Sequence, residues 1–177
     1  SKGIKDGLGR GLKESSILIL GAGGAARAAV VECLNQQAES IRIINRSKDR
    51  LDAMLSSLSD LEGFESIIPI QATEGLADLP KAGICINATS LGLRPNDSLP
   101  LDIKGLSPQW AVYDMVYNPQ ETQLFIEAQK HGCAVKTGLG MLVHQGAKAL
   151  EIWTGKEVDA QIMQKVAEKA LENQKNH

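Results

Sequence analysis

The stretch Ile17 to Arg27, ILILGAGGAAR, carries the densest chemical signal in this 177-residue chain. Four aliphatic residues run into Gly21, Ala22, Gly23, Gly24, Ala25 and Ala26, and then into helix-favouring residues. That is the pattern of a buried strand turning abruptly into a helix N-terminus. Gly21 allows the tight turn, Gly23 lets backbone approach a pyrophosphate, and Ala26 fills the small-residue slot where the helix packs on the strand. Phosphate oxygens are expected on the free N–H groups at the positive end of the helix dipole. The chemistry indicated is dinucleotide binding; the plain alternative is a Gly/Ala-rich helix start used only for packing.

The end of the second strand decides which dinucleotide. An Asp or Glu there accepts hydrogen bonds from the adenosine ribose and repels a 2'-phosphate. This chain has Asn45, Arg46 and Ser47 instead, with Arg50 one helical turn beyond Arg46. Two guanidiniums that reach one point hold a phosphate by forked, charge-assisted bonds and stack on adenine, and Ser47 adds a hydroxyl at a helix start. NADP is therefore expected over NAD, against the alternative that Arg46 and Arg50 form a solvated face with Asp49 and Asp52.

Other strand ends supply further candidates. Thr89 follows the fourth strand in Asn87-Ala-Thr-Ser, Met115 and Tyr117 follow the fifth, and Gly138, Gly140 and Met141 stand where the sixth gives way to a helix. Each residue alone reads as structural; their shared place at carboxyl ends is the argument for a nicotinamide wall.

The elements that must position these groups alternate regularly. Strands are expected at 17–20, 41–44, 67–70, 83–87, 111–114 and 133–136. Helices are expected at 25–36, 48–58 (capped by Ser47), 121–131 (closed by Gly132), 138–153 (stopped by Gly155) and about 158–172. The last of these places Val158, Ile162, Val166 and Ala170 on one stripe. Residues 93–108, rich in proline and turn formers, read as a long irregular surface connection. This rhythm predicts an α/β fold, a doubly wound parallel six-stranded Rossmann sheet with helices on both faces and ligands at the carboxyl ends. Residues 1–16, with four glycines among Ile4, Leu8 and Leu12, read as a leader helix or linker, and residues 17–177 as the NADP-binding domain with C-terminal helices.

Composition excludes several classes. A net charge of −2 and the lack of a long basic run argue against a nucleic-acid binder. Cys33, Cys85 and Cys133 are widely spaced in apolar segments and read as buried, reduced thiols, with no metal site. With no signal-peptide pattern and no long apolar run, a cytoplasmic protein without a membrane partner is expected.

Five motifs in order, GAGGAA at Gly21, NRSKDR at Asn45, NATSLG at Asn87, YDMVYNP at Tyr113 and GLGMLVHQGAKALEIWTG at Gly138, resemble the NADP-binding domain of the shikimate dehydrogenase family. The resemblance covers nearly the whole chain from Ile17 onward and implies an oxidoreductase interconverting 3-dehydroshikimate and shikimate in aromatic amino-acid synthesis. It implies the Gly21 to Ala26 loop at the pyrophosphate, Asn45, Arg46, Ser47 and Arg50 at the phosphorylated ribose and adenine, and Thr89, Met115, Gly138 and Met141 at the nicotinamide. It adds Tyr117 and Gln145 at the substrate; without it, Gln145 is a partly exposed polar residue of a helix.

Members of that family carry an N-terminal substrate domain with a Lys and Asp pair at the reacting hydroxyl, the Asp in an Asn-Thr-Asp-Gly-x-Gly run. Lys5-Asp6-Gly7-Leu8-Gly9 resembles its second half, so Asp6 is the candidate for the catalytic Asp, against a loose Asp in a Gly-rich leader. Lys2, Lys5 and Lys13 lack the motif of the Lys. The expectation is a piece of a longer protein, or one half of a split enzyme, that binds cofactor far better than it turns over. Two rivals are a quinate or shikimate dehydrogenase paralogue with relaxed choice, and a noncatalytic module that senses NADP(H) or docks on a partner. An exposed apolar patch beside the Gly138 helix would favour that module.

Overall fold

The computed structural model describes residues 1–71, 76 and 78–175. Helix α1 (Lys2–Leu8) precedes β1 (Ser16–Leu20), α2 (Gly24–Asn35), β2 (Ser40–Asn45), α3 (Lys48–Ser56) and β3 (Ile67–Gln71). Then follow β4 (Ile84–Asn87), β5 (Ala111–Asp114), α4 (Gln123–Lys130), β6 (Ala134–Thr137), α5 (Leu139–Thr154) and α6 (Ala160–Lys175). The six strands form one sheet in the order β3-β2-β1-β4-β5-β6, with every pairing parallel. This is the doubly wound order, reversing between β1 and β4, and it puts all strand carboxyl ends on one edge.

The aliphatic runs become the central strands because both sheet faces are covered there. β1 is buried along its whole length, as a parallel strand between two layers must be. One core packs Ile17, Ile19, Ile41, Ile43, Ile84 and Ile86 under α1, α2 and α3. The other packs Leu18, Leu20, Cys85 and Val112 under Leu124 and Ala128 of α4 and under Ile103, Leu106 and Trp110. Each fully buried Ile or Leu contributes about 1.5–3 kcal/mol. All three cysteines are free and buried. No helix among the described residues is long and apolar enough to cross a membrane.

Two local readings are corrected, and the direction of the last helix, which the stripe alone left open, is fixed. The expected surface connection at 93–108 is not wholly on the surface: Ile103 and Leu106 are buried around a short 3-10 turn, because α4 alone does not cover its side of the sheet. The fourth helix starts two residues later than expected, at Gln123, since the Thr122 hydroxyl accepts from Phe125 N–H and makes Thr122 the cap. In α6 the stripe through Ile162 and Val166 does not face the core; these side chains are 61% and 64% exposed. Met163 is turned inward instead, so that a methyl group added at Gly146 of α5 would lie 3.3 Å from its terminal carbon.

The leader is helical and joins the core. Ile4 and Leu12 are buried with the β1 residues, and α1 lies against α5 and the edge strand β6. Gly9 closes α1 in the left-handed conformation at φ 67°.

Candidate functional site

The glycine loop joins three strand ends. Gly21 has φ 112°, and its N–H donates to the Ile44 carbonyl at the end of β2 at 2.8 Å. A side chain there would stand 3.1 Å from the Ala88 oxygen and 3.2 Å from Thr89 Cγ2, so the loop also lies directly on the turn after β4. Gly23 caps α2 in extended conformation without any side-chain bond, and neither a Cβ on Gly23 nor one on Gly24 would meet an atom within 4 Å. Helical bonding begins with Arg27 N–H to the Gly23 carbonyl, which leaves the amides of Gly24, Ala25 and Ala26 without intrahelical acceptors. Ala22 is half-buried, Ala25 is exposed, and Ala26 is fully buried against the sheet. A sharp turn, open space and free amides at a helix start fit a pyrophosphate.

At the end of β2, Asn45 Nδ2 donates to the Ser47 carbonyl at 2.7 Å and tightens the turn. Ser47 is thereby set as the cap of α3, its hydroxyl accepting from Arg50 N–H at 3.4 Å. Arg46 and Arg50 are exposed. Among the described residues neither guanidinium has an ion-pair or hydrogen-bond partner, whereas Asp52 is taken by Lys48. Two unpaired guanidiniums beside a capped helix start fit a phosphate ester.

β4 and β5 end in a buried polar network that sequence reading did not assemble. Asn87 and Asp114 face each other in register, and Asn87 Nδ2 donates to Asp114 Oδ1 at 2.8 Å. Asp114 also accepts from Val116 N–H at 3.1 Å and from the Thr122 hydroxyl at 2.6 Å. Asn87 Oδ1 accepts from the amide and hydroxyl of Thr89, at 3.1 and 2.7 Å. Both Asn87 and Asp114 are fully buried, and desolvation pushes the Asp114 carboxyl above its usual range against these three hydrogen bonds. The network fixes the turns that carry Thr89 on one side and Met115 on the other.

Gly138 closes the site from β6. A Cβ on it would overlap the Met115 carbonyl oxygen and stand 2.7 Å from the carbonyl carbon, so only glycine lets α5 start here. Met115, Met141 and Gln145 then line one cavity of about 510 Å³, shared with Ala25 and Ala28 of α2 and with Tyr113. The apolar wall of Ala25, Ala28, Met115 and Met141 suits a flat ring and the Gln145 amide a polar substituent; Lys2, Glu32, His144 and Lys148 also line the cavity.

Not every predicted residue lines this cavity: Thr89 lies against the Gly21 turn, and Gly140 lines a neighbouring cavity with Asp6. Tyr117, 39% exposed, lies outside this cavity. Asp6, on α1, opens onto a neighbouring cavity of about 670 Å³, where its carboxylate meets His144 Nε2 at 3.1 Å. His144 borders both cavities. Sequence reading passed over His144 and Tyr113; their one signal was their place inside the GLGMLVHQGAKALEIWTG and YDMVYNP motifs.

Fold and site define a Rossmann-type dinucleotide-binding domain with an open phosphate turn and a ring-sized cavity at the carboxyl edge. A family profile described as shikimate / quinate 5-dehydrogenase matches residues 4–91, and one described as the shikimate 5'-dehydrogenase C-terminal domain matches residues 138–168. The chain belongs to the shikimate and quinate dehydrogenase family. It is 44% identical over 138 residues to the NADP(+) shikimate dehydrogenase of Rhodopseudomonas palustris strain HaA2, a match covering 78% of this chain and 48% of that protein. The crystal structure of shikimate 5-dehydrogenase from Thermus thermophilus, in complex with NADP(H) and shikimate, superposes with a TM-score of 0.77 at 32% identity, over 96% of this chain and 59% of that one. Ligand-free 5-ketofructose reductase of Gluconobacter sp. strain CHM43 gives 0.79 at 36% identity, over 96% and 62%. The chain thus spans about half the length of the curated relatives it matches.

Proposed function

We propose that this chain is the NADP-binding part of a shikimate dehydrogenase that interconverts 3-dehydroshikimate and shikimate. The observation that carries the reading is the combination of an open α2 N-terminus with two unpaired guanidiniums at the end of β2. Amides 24–26 would take the pyrophosphate, and Asn45, Arg46, Ser47 and Arg50 the phosphorylated ribose and adenine. Thr89, Met115, Gly138 and Met141 would line the nicotinamide end, with Gln145 turned to the substrate and Tyr117 reaching it from outside that cavity. When bound, the nicotinamide supplies the hydride. The protein orients the ring, keeps water from its apolar wall and offers the Gln145 amide to vicinal hydroxyls.

The proton of the reacting hydroxyl needs a group within hydrogen-bond reach. His144, which Asp6 meets at 3.1 Å, borders the Gln145 cavity, so an acid/base role for Asp6 would run by way of that imidazole. A substrate domain supplied by the rest of a longer protein would complete the site. Support for its docking face comes from Leu142, Ile152 and Trp153 of α5 and from Ile162 and Val166 of α6, all exposed. That same apolar face also supports the rival reading of a noncatalytic docking module. The similarity to a ketofructose reductase supports relaxed substrate choice. A cytoplasmic location is part of the proposal, supported by three cysteines that are all free and buried.

The test is NADP-linked oxidation of shikimate and of quinate by the complete protein, beside the chain alone. Turnover of shikimate with NADP by the complete protein, and NADP binding with little turnover by the chain alone, is the expected result. Turnover of quinate beside shikimate, or with NAD as readily as with NADP, would establish the paralogue reading, and binding without any turnover by the complete protein the noncatalytic one.

A further inference from the structure

Tyr113 has one buried polar atom too many. Its ring is 2% exposed in the core under α1 and α2, where a phenylalanine would fill the same space. Its hydroxyl is the one buried side-chain oxygen or nitrogen among the described residues without a hydrogen-bond partner, and such a group is costly to bury. The oxygen faces the amide of Met141 without aligning into a bond; burial pushes the phenol up to about 12, and the approaching amide opposes that rise.

Met141 N–H is itself an orphan. It belongs to the first turn of α5, where helical bonding begins only with Leu142 N–H to the Gly138 carbonyl at 3.0 Å. An unpaired acceptor therefore meets an unpaired donor at the floor of the 510 Å³ cavity that Tyr113, Met115, Met141 and Gln145 share. Gly3 of α1 covers the pair: a Cβ on it would stand 2.8 Å from the Tyr113 oxygen and 2.9 Å from Met141 N. On the other side of the same turn, Gly138 rests against the backbone of Met115.

We propose that Tyr113 is a positioning residue for the nicotinamide wall: its hydroxyl takes the Met141 amide and, with the Gly138 contact, clamps the first turn of α5 to the end of β5. The clamp sets the height of Met141 over the cavity and, one turn on, the reach of Gln145. The inference rests on the cofactor reading above, and it concerns the ring half of the cofactor alone, since the adenylate half lies at α2 and β2.

The test uses the complete protein as wild type, Tyr113→Phe and Gly3→Ala. Three quantities are compared: binding of NADPH, binding of 2'-phospho-ADP-ribose, which lacks the nicotinamide, and hydrogen exchange of the Met141 amide without ligand. Tyr113→Phe is expected to weaken NADPH binding roughly tenfold, the worth of one hydrogen bond. It should leave 2'-phospho-ADP-ribose within about twofold and speed Met141 exchange by about the same tenfold. Gly3→Ala, which drives a methyl group between the two atoms with Tyr113 intact, is expected to give the same pattern and decides the matter if the phenylalanine variant does not fold. Equal weakening of both ligands, or Met141 exchange unchanged in either variant, overturns the proposal. Should wild type bind neither ligand, the cofactor reading falls, and Met141 exchange still decides the role of Tyr113.

Discussion

Two glycines of the phosphate turn are expected to respond oppositely to the same added methyl group. At Gly23 the backbone is extended, with φ −94° and ψ −171°, and an added Cβ meets nothing within 4 Å. Alanine there loses about 1 kcal/mol as a helix cap and recovers about 0.4–1 kcal/mol through the less flexible unfolded chain. The fold should hardly notice, and the melting midpoint should stay within about 4 °C of wild type. The methyl group nevertheless occupies open space at the cap of α2, where the pyrophosphate is proposed to sit. Losing two charge-assisted hydrogen bonds of about 1.5–3 kcal/mol each weakens NADP binding by roughly a hundredfold or more.

At Gly21 the ledger reverses. A residue with φ 112° is strained with any side chain by about 1–3 kcal/mol. Contacts of 3.1 and 3.2 Å to Ala88 and Thr89 add about another 1 kcal/mol, since the first is backbone and cannot swing away. Gly21→Ala should therefore melt roughly 4–16 °C lower, at about 2–4 °C per kcal/mol. Thermal melts and NADP titrations of the two variants, run side by side, read both effects. A Gly23→Ala protein that melts normally and binds NADP as tightly as wild type would refute the phosphate assignment, because the one space the turn leaves open would then have no use.

Three further outcomes are expected. Arg46→Ala with Arg50→Ala should weaken NADP far more than NAD, by about a hundredfold if each guanidinium contributes one charged hydrogen bond; equal loss in a titration of both cofactors would mean that the pair is a solvated face. Burial raises the Asp114 carboxyl, so the folded state holds its proton at a pH where the unfolded chain has released it. That contribution is complete below the unfolded pKa and is lost as pH rises through the folded one. Asp114→Asn lacks this loss, and its stability relative to wild type, from urea melts at acid and neutral pH, should rise with pH; a flat or falling difference would contradict the burial argument. Trp153→Ser on α5, where the side chain is 80% exposed, should change the stability of the chain alone by under about 0.5 kcal/mol. In a pull-down it should weaken docking of a separately supplied substrate domain, and unaltered docking would remove α5 from that face.

Most of the scaffold was legible because parallel strands buried on both faces write themselves as aliphatic runs: Ile17 to Leu20 and Ile84 to Ile86 are central strands with no exposed position. The phosphate turn was equally plain, since Gly21 and Gly23 act locally. What stayed hidden depends on register between distant segments. Nothing around Asn87 announces Asp114, yet strand pairing sets them opposite, and the Thr122 hydroxyl is oriented as a cap because Asp114 accepts its hydrogen bond. Tyr113 read as a strand aromatic, and only the arrival of α1 and α5 over it exposed a hydroxyl without a partner.

Helix α6 shows why periodicity found an apolar stripe but not its direction. Two inward candidates existed on that helix, the β-branched row of Ile162 and Val166 and the flexible side chain of Met163. Gly146 on α5 leaves a shallow hollow, and a methionine, unbranched and adaptable, fits it where a stiff isoleucine does not. The α5 contact therefore went to Met163, and the branched row was left outward beside polar neighbours. A hydrophobic row displaced from its own core in this way is what a second domain would find when it docks. On this argument Met163→Ile would strain the α5 contact by about 1–3 kcal/mol, whereas Ile162→Met would leave the chain's melting midpoint unchanged. Melts showing the reverse would mean that the exposed row, not the hollow at Gly146, sets the seat of α6.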